Sequence, residues 1–136
     1  MTFIHQRSDT DCQTTQECLK RTVLCINSIE RSTVGSLQFN HSLCERFVSQ
    51  YIRSARKLLE ERQSEIGVYS EHCAPALNAL HKTVNEAEFL IQKHCTSSNW
   101  LWAAVDLVEN TSVFAEVILD LRWYIYALRI AIEVSR

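Results

Sequence analysis

The longest apolar run that keeps a single period is TSVFAEVILDLRWYIYALRIAIEVS, from Thr111 to Ser135. At about 100° per residue, Val113, Phe114, Val117, Ile118, Leu121, Tyr124, Ile125, Leu128, Ala131 and Ile132 share one side, and no charge intrudes there. A second, narrower stripe of Leu119, Trp123, Tyr126 and Ile130 repeats at i, i+4, i+7 and i+11. Charges fill the gaps between the stripes: Arg122, Arg129 and Glu133 on one side, Glu116 and Asp120 on the other. A surface helix shows one apolar stripe, and a helix apolar nearly all round is packed on more than one side. The pattern therefore predicts that Thr111–Ser135 is the helix on which the others assemble. Its second stripe is either more core or a docking surface.

The remaining chain reads as amphipathic helices with few connections. Asp9 or Thr10 is placed to cap a first helix running to about Arg31, with Leu19, Val23, Ile26 and Glu30 in one row and Thr22, Cys25 and Ile29 beside it. Residues Met1 to Ser8 form a flexible lead-in, and Ser32 to His41 reads as a loop around Gly35. Ser42-Leu43-Cys44-Glu45 fits a capping box that opens a second helix to about Arg62. Its inner face is Leu43, Phe47, Tyr51, Ala55, Leu58 and Leu59. A third helix starts near Ser70 or Cys73, with Pro75 in its first turn, or near Gln63 with a kink at Pro75. Leu77, Leu80, Val84, Ala87 and Ile91 form its seam. A short tryptophan-bearing piece, NWLWAAVDLVEN, follows, and Asn110-Thr111-Ser112 is read as a break before the last helix. The prediction is one all-α domain over residues 1–136: an antiparallel four-helix bundle with one additional short helix. Leu77, Leu80, Val84, Ile91, Trp100, Val117, Leu121 and Leu128 are its expected core.

Composition narrows the class. Two glycines and one proline in 136 residues cannot supply the frequent turns of a sandwich or barrel. Net charge of −2 argues against a general nucleic-acid binder, which needs a strongly basic face. No stretch of 18 uncharged apolar residues occurs, so no constitutive membrane span is expected. The N-terminal text has no secretory h-region, and the six cysteines (12, 18, 25, 44, 73 and 95) then read as reduced, buried thiols of a cytoplasmic protein.

Searching for chemistry gives little. Gly35 and Gly67 stand alone, so no phosphate-cradling loop can form, and CxxC, HExxH and GxSxG are absent. His72, Cys73, His81 and Cys95 lack a strong zinc spacing. Glu-x-x-His, which a di-iron bundle needs, does not occur. The expectation is a non-enzyme with no catalytic residue, metal or cofactor. The second helix carries Arg46, Arg53, Arg56, Lys57 and Arg62, with Lys20 and Arg21 on the first. That face is either ordinary solvated charge or a site for anionic lipid head groups, each cation adding about 1 kcal/mol. Trp100, Trp102, Trp123, Tyr124 and Tyr126 are likewise either core or a contact surface.

The text PALNALHKTVNEAEFLIQKHCTSSNWLWAAVDLVEN and then VFAEVILDLRWYIYALRIAIE resembles the amino-terminal domain of plant mixed-lineage-kinase-domain-like proteins and related plant kinases. The matching points are Pro75, Leu77, Leu80, Glu88, Ile91, Cys95, Trp100, Asn110 and the closing Ala131-Ile132-Glu133. That family tends to pair two tryptophans directly, whereas Leu101 stands between Trp100 and Trp102 here. The resemblance implies a HeLo-type four-helix domain linked to immune cell death. A kinase-like region restrains such a bundle, and release lets it oligomerise and act on membranes. On that reading Lys20, Arg21, Arg53, Arg56 and Lys57 touch lipid, and Leu119, Trp123, Tyr126 and Ile130 meet a partner. The expected partners are a kinase or pseudokinase segment in cis, a second copy of the chain and anionic lipid. Nucleic acid is not among them. The expected location is the cytoplasm with recruitment to the plasma membrane. The alternative is a regulatory protein–protein module that never engages lipid.

Overall fold

The computed structural model describes residues 14–35, 41–93 and 107–136; side chains of 33–35, 41–43 and 107–113 are outside the description. The expected lead-in, the Asp9 or Thr10 cap, Cys12, Cys95, Trp100, Trp102 and most of the short helix lie outside the described residues, as do the side chains of Leu43 and Val113. Among the described residues there is no strand, and the elements are α1 (Thr15–Gly35), α2 (His41–Phe47), a π-helical segment (Val48–Ile52), α3 (Arg53–Glu61), α4 (Gln63–Val68), α5 (Ser70–Ile91) and α6 (Leu107–Ser135).

Helix α1 begins later than the sequence suggested. Its first turn is capped by Thr14, whose Oγ1 accepts the N–H of Glu17 at 3.0 Å. This satisfies a donor that the helix itself leaves open. The helix runs on through Ser32, Thr33, Val34 and Gly35 rather than stopping at Arg31, so the first four residues of the expected loop, and His41 at its end, are helical. Ser42 sits inside α2, which starts at His41, and is not an N-cap. The second amphipathic stretch is interrupted by the π-helical turn at Val48–Ile52. Here Val48 and Ile52 are buried while Tyr51 is only half-buried. The wider turn carries Ile52 onto the core face, so the expected row through Tyr51 is displaced.

Two single-residue corners follow. Arg62 (φ −113°, ψ 21°) separates α3 from α4, and Tyr69 (φ −101°, ψ 40°) separates α4 from α5. Both keep the carbonyl ladder nearly intact: Ile66 N–H donates to Arg62 C=O at 3.0 Å and Cys73 N–H to Tyr69 C=O at 3.0 Å. With α5 starting at Ser70, Pro75 lies in the second turn, not the first. Proline there removes the N–H that would reach Glu71, and Glu71 is exposed, so water can take over that carbonyl. The chain does not break at Asn110–Ser112, because α6 is continuous from Leu107 to Ser135.

The organising helix is α5. It packs against α1 on one side and α6 on the other, while α3 and the π-helical segment reach both α1 and α6. Cys73, Leu77, Leu80, Val84, Ala87 and Ile91 are all buried. From α6, Phe114, Val117, Leu121, Ile125, Leu128 and Ile132 enter the same core. Phe47 joins the π-helical end of the second stretch to α6 through an edge-on contact with Phe114, ring centroids 5.3 Å apart. Apolar content all round pointed to α6 as the helix on which the others assemble, with its second stripe left as either more core or a docking surface. That stripe faces outward, and α5 takes the central place with buried polar residues His81 and Thr83 on its packed faces.

Candidate docking surface on the last helix

Helix α6 is two-faced. Its core face is nearly opposite the stripe of Leu119, Trp123, Tyr126 and Ile130, since positions such as Val117 and Leu128 lie about half a turn from Leu119 and Ile130. The stripe is uncovered: Leu119 is 64% exposed, Trp123 63%, Tyr126 58% and Ile130 42%. Val134, 75% exposed, extends it toward the C-terminal end. Scattered exposed apolar residues are normal on a protein surface, whereas a contiguous row marks an interaction site. Trp123 and Tyr126 rest on each other, ring centroids 6.4 Å apart and planes at 41°. Two large rings are thus already placed side by side on a helix whose back is locked into the core.

Charge frames the stripe asymmetrically. Arg122 and Arg129 run along one edge and Glu116 and Asp120 along the other, all exposed. Glu133 belongs by position to the arginine edge but is drawn away. Its Oε2 accepts from Arg62 Nη2 at 3.0 Å and from Arg136 Nη1 at 3.4 Å. Arg62 also bonds the Glu65 carboxylate, which Arg136 Nε meets at 3.4 Å. Hydrogen bonding from Arg62 is the main reason that both Glu65 and Glu133 are held below the usual carboxylate range. The same bonds push the Arg62 guanidinium still higher. This four-residue cluster fastens the α3–α4 corner to the end of α6 and leaves the arginine edge of the stripe basic.

The five cations expected to touch lipid do not form one free face. Arg53 Nε lies 3.8 Å from Glu30 Oε2, and Arg56 bonds both Glu30 and Asn27. Arg21 pairs with Glu17 one turn earlier at 3.5 Å. Lys20 borders an apolar hollow of about 400 Å³ between α1 and the α3–α4 corner, floored by Leu19, Val23, Leu24 and Leu59 and rimmed by Glu60. Arg21 borders a hollow on the α1–α5 side, beside His81 and Asn85, and shares a third with Lys20 near the start of α1. Lys20 and Lys57 are exposed. Periodicity could not see Glu30 reaching across from α1 to take Arg53 and Arg56.

Sequence reasoning missed a buried polar chain between α1 and α5. Thr22 Oγ1 donates to Cys18 C=O at 2.7 Å and lies 3.0 Å from His81 Nδ1. Asn85 Nδ2 lies 3.1 Å from His81 Nε2. A hydroxyl that has given its one proton can only accept, so Nδ1 carries the hydrogen. Nε2 is then the acceptor, and the Asn85 amide donates to it. The chain continues to Cys25, whose Sγ is 3.4 Å from both Asn85 Oδ1 and Glu88 Oε1. Burial, then the Glu88 carboxylate, pushes the Cys25 thiol up to about 12. A thiol held protonated is a poor nucleophile and metal ligand. Burial likewise raises Cys73. The cue was present in Thr22, Cys25, His81, Asn85 and Glu88, spaced three and four apart on two helices, but only their pairing gives it meaning.

Cys18, Cys25, Cys44 and Cys73 are buried thiols outside any disulfide. Among the described residues no group of three or more metal-ligating side chains converges, and no helix is long and apolar enough to cross a membrane. No family model matches the chain, and neither the curated proteins nor the solved structures contain a match.

Proposed function

We propose that this protein is a non-catalytic docking module, an antiparallel four-helix bundle with one additional short helix, working as the HeLo-type leader domains of plant kinase-like immune proteins do. Its task on this reading is to hold a kinase or pseudokinase segment, and copies of itself, through α6 and to signal or execute cell death. It would act from the cytoplasm, with recruitment to the plasma membrane. The carrying observation is the ordered, exposed row Leu119–Trp123–Tyr126–Ile130 on the back of a helix whose other face is fully committed to the core. Aromatic anchors of this kind, already fixed in place, supply most of the energy of a protein interface. The test is transient expression in leaf tissue with ion leakage as readout. Wild-type protein is expected to raise leakage, and Trp123→Ala with Ile130→Asp to abolish it at equal protein level. Wild-type protein that accumulates without leakage would remove the cell-death reading.

A membrane-contacting role is supported more narrowly. Lys20 and Lys57 are exposed and make no ion pair with another described residue. Two such cations at about 1 kcal/mol each hold a domain at an anionic surface only when several copies act together. Binding to phosphatidylserine vesicles should therefore be weak, fall with salt, and vanish in Lys20→Glu with Lys57→Glu. Salt-independent binding would exclude this role.

A further inference from the structure

We infer that the exposed stripe of α6 pairs with the same stripe of a second copy of this chain, the two helices lying parallel. The inference rests on the docking reading and gives the arrangement in which two copies meet at that site.

Spacing is the first support. Leu119, Trp123, Tyr126 and Ile130 are separated by four, three and four residues, the alternation of a coiled-coil seam. Trp123 and Ile130 take the a positions, and Leu119 and Tyr126 the d positions. The seam covers about 17 Å of helix. An isolated helix with two such repeats would be too short to pair, because it must also pay for its own ordering. Here α6 is already formed and held by Phe114, Val117, Leu121, Ile125, Leu128 and Ile132. Because the core lies directly behind the stripe, two copies can meet face to face with their bodies on opposite sides.

Charge chooses the orientation. In a parallel pair the two-fold axis runs along the helices, so the basic edge of one copy meets the acidic edge of the other. Arg122 is then only two residues, about 3 Å of rise, from the level of Asp120 in the second copy, and symmetry makes this contact twice. In an antiparallel pair the axis crosses the helices and each edge meets itself. With the seam centred between Trp123 and Tyr126, Arg122 then lies two residues, about 3 Å of rise, from the level of Arg129 of the second copy, also twice. Glu133 could have relieved that repulsion, but Arg62 and Arg136 hold it. Opposite charges within about 3 Å of level favour the parallel arrangement, and like charges at the same offset disfavour the antiparallel one.

Sedimentation velocity on the full chain from 5 to 500 µM, at low and at high salt, tests this. The expected result is concentration-dependent growth from the 15.7 kDa protomer toward twice that mass. Ile130→Asp should be monomeric with an unchanged helical circular-dichroism spectrum, since Ile130 is outside the core. Arg122→Glu should weaken association on the order of tenfold by spoiling two symmetric pairs, and adding Asp120→Lys should restore it. A wild-type chain that stays monomeric throughout, or an Ile130→Asp chain that still dimerises, overturns the inference. So does tighter association of Arg122→Glu, because that substitution creates an attraction to Arg129 only in the antiparallel pair. A dimer without leaf leakage would keep this inference and remove the cell-death reading, while leakage from a chain that stays monomeric would do the reverse.

Discussion

Thr22 and His81 show how much rests on a single hydroxyl. The two are 0% and 2% exposed, so neither has water as a fallback. Thr22→Val keeps the shape and deletes the acceptor for the Nδ1 hydrogen. An orphaned buried donor costs about 1–3 kcal/mol, and urea denaturation should register a loss in that range. Glycine 67 predicts the opposite sign. It sits inside α4, and a Cβ added there would meet only Gln16 Oε1 at 3.7 Å, an ordinary contact. Gly67→Ala should therefore stabilise by about 0.5–1 kcal/mol through the unfolded chain's lost freedom, read as a raised midpoint in the same titration. Cys25 gives a chemical check: with its thiol pushed up to about 12, it should resist disulfide-exchange reagents at pH 8 until the protein unfolds. Fast labelling of the native protein at Cys25 would contradict the burial described here.

At the scale of elements, the Arg62 corner is the joint with a measurable pH signature. Glu65 and Glu133 have folded values below their ordinary 4.5, so the unfolded chain binds protons more readily. The cluster's contribution is present in full above that unfolded value and is lost as pH falls through the lower folded values. Thermal midpoints taken between pH 6 and 3 should fall less steeply in Arg62→Met than in wild type, with the two curves converging at the acid end. Equal slopes would mean that solvent already screens the cluster. The π-helical segment explains why the stretch expected to run to about Arg62 became α2, that segment and α3. The corners at Arg62 and Tyr69 fall where the sequence ended its second helix and offered a start for its third. Neither Arg62 nor Tyr69 is a turn residue by type, and nothing local marks the π-helical segment at Val48–Ile52. Each is a bend that lets a helix edge stay on the core, which is a tertiary demand.

For the whole molecule, α5 holds the central place that the sequence assigned to α6. Leu80 is fully buried in the helix that packs on both neighbours, and Leu80→Ala should cost about 2–5 kcal/mol. Trp123→Ala, although it removes the larger side chain, should change monomer stability by no more than about 0.5 kcal/mol, measured below the dimerisation range. Comparable losses at the two sites would mean that the stripe is core after all. The sequence by itself determined the helical class, because glycine and proline are too few for anything else and the apolar residues recur at helical spacing. It also located both stripes of α6, the seam of α5 and the basic residues of the second stretch, since periodicity is a property of the chain alone. Only the tertiary structure decided which stripe was consumed, where the second stretch turns π-helical, and which cations meet carboxylates. Those outcomes depend on what lies across the gap between helices: Glu30 against Arg53 and Arg56, Arg62 against Glu133, and α5 filling the space that apolar content had reserved for α6.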